Sequence, residues 1–189
     1  MKFNRDSLKK TAETLKAGGV IIFPTETVYG IGCLAANQEA VKRVFKIKQR
    51  PLDKPLQILI ADLKQAEQLA QELKGKALEL ARKYWPGPLT LVIKKKSSVS
   101  DLITARKDSV GLRMPKSDKL LELIKAVGPL AASSANLSGE PDPTSAQEVK
   151  IEADLLLDGG KCKLSQASTV VDVSVDPPLI LREGVIHPF

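Results

Sequence analysis

Histidine is almost missing from this 189-residue sequence: His187 is the only one. A histidine-rich metal centre cannot be built from it, and a Ser-His-Asp type of triad is improbable with the lone imidazole in a tail. Cysteine is nearly as scarce. Cys33 and Cys162 form neither a CxxC motif nor a metal-spaced cluster, so both read as free thiols in a reducing compartment. Long apolar runs are absent, which argues against a spanning helix. The opening MKFNRDSLKK has no apolar signal-peptide core, so cytoplasm is the expected location. Neither GxxxxGK[ST] nor GxGxxG occurs, which removes the P-loop and gives little support to a dinucleotide fold. No linker-like tract and no internal repeat interrupts the chain, so residues 1–189 are expected to form one domain.

Basic residues exceed acidic ones, for a net charge of +7. That balance fits a generally basic surface or a polyanionic substrate such as a nucleotide or RNA. The charge is uneven. Lys42, Arg43, Lys46, Lys48, Arg50 and Lys54 crowd one segment with only Asp53 opposing, whereas Glu140, Asp142, Glu148, Glu152, Asp154 and Asp158 outnumber Lys150 in another. A polyanion should be drawn to the first and kept from the second.

Short apolar runs alternate with helical periodicities. Strands are expected at 20–23, 56–60, 89–93, 110–113, 130–132, 155–157, 169–173 and 179–181. Helices are expected at 6–17, 38–49, 62–71, 74–83 and 117–126, with a brief one after the Pro-rich EPDPTS loop. Asn37 is placed to cap the second helix. Lys48 continues the apolar face of Val41, Val44 and Phe45, so it should lie away from full solvent. Residues 94–100 read as a polar connection. The alternation predicts an α/β domain, and the short strands near the end predict a mixed sheet.

Three segments stand out. PTETVYGIG follows a buried strand and offers Thr25, Glu26, Thr27 and Tyr29, with Gly30 and Gly32 permitting close backbone approach or unusual dihedrals. KIKQRPLDKPL supplies Lys48, Arg50 and Lys54, cations suited to phosphate or carboxylate. LAASSANLSG presents Ser133, Ser134, Asn136 and Ser138 beside small residues, a possible anion nest. Arg113 and Arg182 each follow a short strand, where a charge can point into a crevice. Each feature also has a plain reading as a turn, a cap or a solvated helix end.

Taken together, PTETVYGIG, KQRPLDKPL, WPGPLTLVI, VGLRMP, SSANLSG, STVVDV and LREG resemble, in order, the YrdC/Sua5 family of threonylcarbamoyl-AMP synthases. The resemblance spans about residues 8–184. It implies a single-domain twisted mixed sheet flanked by helices, a YrdC-like (DHBP synthase-like) fold around a deep basic cavity. It matches the short family form, without the additional C-terminal Sua5 domain. The activity implied is condensation of L-threonine, bicarbonate or carbon dioxide, and ATP into L-threonylcarbamoyl-AMP, with release of diphosphate. Magnesium is expected with the ATP. The product would go to a separate transferase complex (TsaD/TsaB/TsaE-like) that makes N6-threonylcarbamoyladenosine at adenosine 37 of ANN-decoding tRNAs. Direct tRNA binding stays open. The family's KxR…SxN tetrad falls on Lys48, Arg50, Ser134 and Asn136, expected to hold carboxyl and phosphate groups and orient the reaction. Thr25, Thr27, Tyr29 and Arg113 are expected around threonine, and Lys54, Ser168 and Arg182 near the nucleotide. The alternative is a YrdC-like paralogue acting in RNA binding or ribosome maturation.

Overall fold

A computed structural model describes residues 1–189. In chain order the elements are α1 (Arg5–Lys16), β1 (Ile21–Phe23), β2 (Gly30–Leu34), α2 (Gln38–Ile47), β3 (Gln57–Leu59), α3 (Leu63–Leu69), α4 (Gly75–Tyr84), β4 (Leu89–Lys94), α5 (Asp101–Thr104), β5 (Ser109–Arg113), α6 (Asp118–Val127), β6 (Leu130–Ser134), β7 (Leu155–Leu156), β8 (Thr169–Asp172) and β9 (Leu179–Arg182). A short 3-10 turn covers Ala146–Glu148. Helix starts follow local chemistry. The Asn4 side chain accepts from Ser7 N in a reciprocal capping box, and Asn37 Oδ1 accepts from Ala40 N at the start of α2.

All strands join one sheet, in the order β7-β1-β2-β6-β3-β5-β4-β8-β9. The β1–β7, β3–β5 and β4–β8 pairs are parallel, and the rest are antiparallel. The mixed α/β sheet is as expected. Two elements were not. β2 falls where PTETVYGIG reads as a ligand loop, and two of its five residues are glycines. A Cβ on Gly30 would lie 2.9 Å from the Phe23 ring, and one on Gly32 would lie 2.6 Å from the Ala131 carbonyl oxygen. The glycines therefore serve close packing rather than an unusual dihedral. α5 also rose from residues just past the supposed polar connection, capped by Ser100.

Strand side chains alternate between faces, and register carries each row across the sheet. Cys33, Ala131, Ile58, Leu112, Leu91 and Val171 are successive partners in one row. This row packs with Val41, Val44 and Phe45 of α2, Leu80 of α4 and Ile103 of α5 in the larger core. On the opposite face α1 and α6 bring Leu15, Leu120, Leu123 and Ile124 against Ile21, Phe23, Leu59 and Leu130. That second core takes no residue from β4, β5, β8 or β9. One face is thus fully lined by helices and the other only half covered. The uncovered half is the base of a cavity.

Candidate active site

The adjacent row of the sheet runs Ala132, Gln57, Gly111, Val92, Asp172. These five residues line a cavity of about 420 Å³. Its charged lining consists of Arg50, Lys107, Arg113 and Arg182 against Asp142 and Asp172. A side recess of about 20 Å³ opens among Phe23, Thr25, Leu59 and Ser133. Val28, Gln57, Arg113, Ala132, Ser133 and Ser134 border both spaces, and Arg113 is the one charged group at their junction.

Lys48 is the C-cap of α2 and is 1% exposed, in line with its place on the apolar face. Its Nζ donates to Ser134 O at 2.5 Å, Asn136 O at 2.7 Å and Asn136 Oδ1 at 3.2 Å. An ammonium has three protons, and all are spent on the SSAN loop. The Lys48 backbone carbonyl also accepts from Ser138 N at 2.9 Å, and Asn136 Nδ2 donates onward to Glu140 O. Burial first, and then the Arg50 charge, pull the Lys48 pKa down to about 8, with Asp142 opposing. Lys48 and Asn136 lie beneath the cavity wall; Ser134 lies in it.

Arg50 is half-buried. Its Nε donates to Lys54 O at 2.9 Å and its Nη2 to Pro55 O at 2.9 Å, so the RPLDKP turn holds the guanidinium while Nη1 stays without a protein acceptor. Desolvation, then repulsion from Arg182, lowers the Arg50 pKa. The Lys54 side chain is exposed and outside the cavity; only its carbonyl takes part.

The third anchor is a relay. Arg182 Nη2 donates to Ser168 Oγ at 3.1 Å, the Ser168 and Thr90 hydroxyls are 2.9 Å apart, and Thr90 Oγ1 donates to Gln57 Oε1 at 2.9 Å. Arg182 also caps Ser168 O through Nε and Nη2. Although Arg182 as a residue is exposed, desolvation of its guanidinium lowers its pKa. Thr90 and Gln57 were not anticipated. The signal was a threonine within the otherwise apolar LTLVI strand. Neither Lys107 nor Asp172 carries a local signal: the β4–β8 register brings Asp172 to the cavity, and the turn before β5 brings Lys107.

The PTET segment is more self-satisfied than its hydroxyls suggested. Thr25 Oγ1 donates to Val28 O at 2.7 Å and accepts from Thr27 N and Val28 N. Thr27 Oγ1 accepts from Arg113 Nη2 at 2.9 Å. Tyr29 is fully buried, and its hydroxyl donates to Gly160 O at 2.8 Å and accepts from Gly159 N at 3.1 Å. Burial raises its pKa, so it is a neutral tie between two loops. Charge separation in the sequence does not survive folding either. Arg43 Nη2 pairs with Asp154 Oδ1 at 2.8 Å, and Asp142 of the acidic segment lines the cavity, where its charge acts on Lys48 and Arg182. Cys33 and Cys162 are free and buried.

Fold and site define an α/β protein with a cavity on the bare half of one sheet face. The model of the Sua5/YciO/YrdC family, described as telomere recombination, matches residues 13–184, and the chain belongs to that family. It is 45% identical over 184 residues to the threonylcarbamoyl-AMP synthase of Pyrococcus abyssi, covering 94% of this chain and 54% of that protein. Against the threonylcarbamoyl-AMP synthase of Bacillus subtilis it is 41% identical over 189 residues, covering 97% and 55%. The chain therefore spans about half the length of these two relatives. The P. abyssi Sua5 structure complexed with L-threonine superposes with a TM-score of 0.91 at 44% identity, over 96% of this chain and 55% of that one. E. coli YciO superposes at 0.86 with 25% identity, over 98% and 94%. No helix is long and apolar enough to cross a membrane.

Proposed function

We propose that this chain makes L-threonylcarbamoyl-AMP. The threonine amine takes up bicarbonate or carbon dioxide to give N-carboxy-threonine, and the new carboxylate attacks the α-phosphorus of ATP, releasing diphosphate. The observation that carries the reading is the junction at Arg113. A small recess opens there onto a cavity whose lining holds three further cations, Arg50, Lys107 and Arg182. The names of the two relatives and the threonine-bound Sua5 structure support the same reading.

In this reading Arg113 takes the threonine carboxylate, and Thr25, Thr27 and Tyr29 fix the shape of the recess. Arg50, Ser134, Ser168 and Arg182 face the triphosphate and stabilise charge as the α-phosphorus is attacked. Lys48 and Asn136 hold the loop that presents Ser134, and Lys54 holds Arg50 through its carbonyl. No cluster of acids, histidines or cysteines is present to hold a metal, so magnesium would come with the triphosphate and be held mainly by phosphate and water. Positioning and charge carry the reaction in this reading. The adenylate passes to a transferase acting on tRNA. Incubation with ATP, magnesium, bicarbonate and labelled L-threonine tests the proposal. Adenylate with matching diphosphate, lost when bicarbonate is omitted, is expected. Nucleotide binding without product refutes it.

A further inference from the structure

Glu26 is buried, charged and unused by the roles above. Its side chain is 6% exposed, and that of Arg113 is 4% exposed. Glu26 Oε2 lies 2.9 Å from Arg113 Nη2, yet neither carboxylate oxygen accepts an aligned hydrogen bond. One Nη2 proton is directed to Thr27 Oγ1, and the other makes no aligned bond to Glu26. Nε donates to Gly87 O at a long 3.4 Å, and Nη1 donates to no protein group. Glu26 itself lines neither the cavity nor its recess. It touches Arg113 from outside the ligand space.

The main chain at Glu26 is held, and the buried carboxylate has Arg113 as its ion-pair partner. The Glu26 carbonyl accepts from Leu164 N at 2.9 Å. The nearby Cys162 thiol is pushed up to about 11, chiefly by burial, so it adds no second negative charge at neutral pH. A carboxylate so buried is costly without a cation, and the guanidinium equally so without an anion. The pair therefore persists when no ligand is bound. Because the hold is electrostatic rather than a bidentate bond, the Arg113 fork is not consumed by it.

We propose that Glu26 is a positioning residue: its buried carboxylate holds Arg113 from behind and leaves the Nη1 edge facing the cavity for the carboxylate of L-threonine. This rests on the reading of Arg113 given above. Steady-state kinetics of adenylate formation by wild type, Glu26→Gln and Glu26→Asp test it, with thermal melts of each. Glu26→Gln keeps the shape and removes the charge. It should raise KM for threonine at least about tenfold while KM for ATP stays within about twofold. Glu26→Asp, which keeps the charge, should recover part of the loss. Calorimetric titration of threonine into Glu26→Asp gives a second measure should Glu26→Gln fold poorly, with affinity expected below wild type. An unmoved threonine KM in Glu26→Gln, wild-type threonine affinity in Glu26→Asp, or an equal rise of both KM values with a lowered Tm overturns the positioning role. A wild-type chain that neither binds nor consumes threonine overturns the functional reading itself, and with it the ligand named for Arg113.

Discussion

Replacing Lys48 with Met removes the ammonium and keeps most of the buried stem. Two opposing changes follow. Ser134 O, Asn136 O and Asn136 Oδ1 all lose their lysine donor. A buried acceptor left unpaired costs about 1–3 kcal/mol, so the gross loss is about 6 kcal/mol at the middle of that range. Against it, the ammonium is held at a cost: its pKa falls from 10.5 to about 8, burial being the first cause. At about 1.4 kcal/mol per pH unit this is about 3 kcal/mol that the wild type carries at neutral pH and the variant does not. The net loss of folding stability should be about 3 kcal/mol, read by urea denaturation with an unchanged m-value. Activity should fall further than stability explains, because Ser134 sits on the loosened loop. A drop in kcat/KM of at least about tenfold, measured where the variant is still fully folded, is expected. A Lys48→Met protein as stable as wild type with near-wild-type turnover would refute the argument that this lysine holds the SSAN loop.

Arg50→Ala should cost at least about tenfold in adenylate formation, about 1.4 kcal/mol, with little change in Tm, since its partners are turn carbonyls at an exposed edge; unchanged turnover would exclude it from the reaction. Gly184→Ala would set a Cβ 2.5 Å from Ala167 O, Ser168 C and Thr169 N. Strain of about 1–3 kcal/mol should lower Tm and raise KM for ATP by displacing Ser168, whereas a neutral substitution would mean that this crossing is loose. The Lys48 titration has a defined sign. Between about pH 8 and 10.5 the unfolded chain binds the proton that the folded chain has released, so this group makes stability rise with pH across that window. Unfolding free energies of wild type minus Lys48→Met should show this slope, while wild-type kcat/KM falls through about pH 8 as the loop loses its ammonium.

What could be read from residues alone divides by the range of the interaction. The Asn37 cap, the burial of Lys48 and most strand positions depend on spacing within one segment, and those agree with the structure. β2 stayed hidden because glycine has no strand pattern to display, although its glycines are there for contacts with Phe23 and Ala131. The Gln57–Thr90–Ser168–Arg182 relay was out of reach for another reason. Its members come from β3, β4, the segment before β8, and β9, and only sheet order makes them neighbours. The same order folds Asp142 back onto the cations from which the sequence seemed to separate it.

The position of the cavity follows from the helices that are not there. α1 and α6 cover only the β7-to-β3 side of their face, and burial of apolar strand surface would normally demand a helix over the rest. The bare strands meet that demand by composition. On this face β5 presents Gly111, β4 presents Thr90 and β8 presents Asp172 among a few apolar side chains. A face so polar gains little from a covering helix, and so stays open. Its neighbours Arg113 and Arg182 close strands β5 and β9, which puts fixed cations at the rim of that opening. Filling it with an apolar side chain, as in Gly111→Leu, should therefore abolish nucleotide binding while leaving the helix-covered cores and Tm nearly unchanged; a variant that still binds ATP at wild-type affinity would mean that the ligand lies elsewhere.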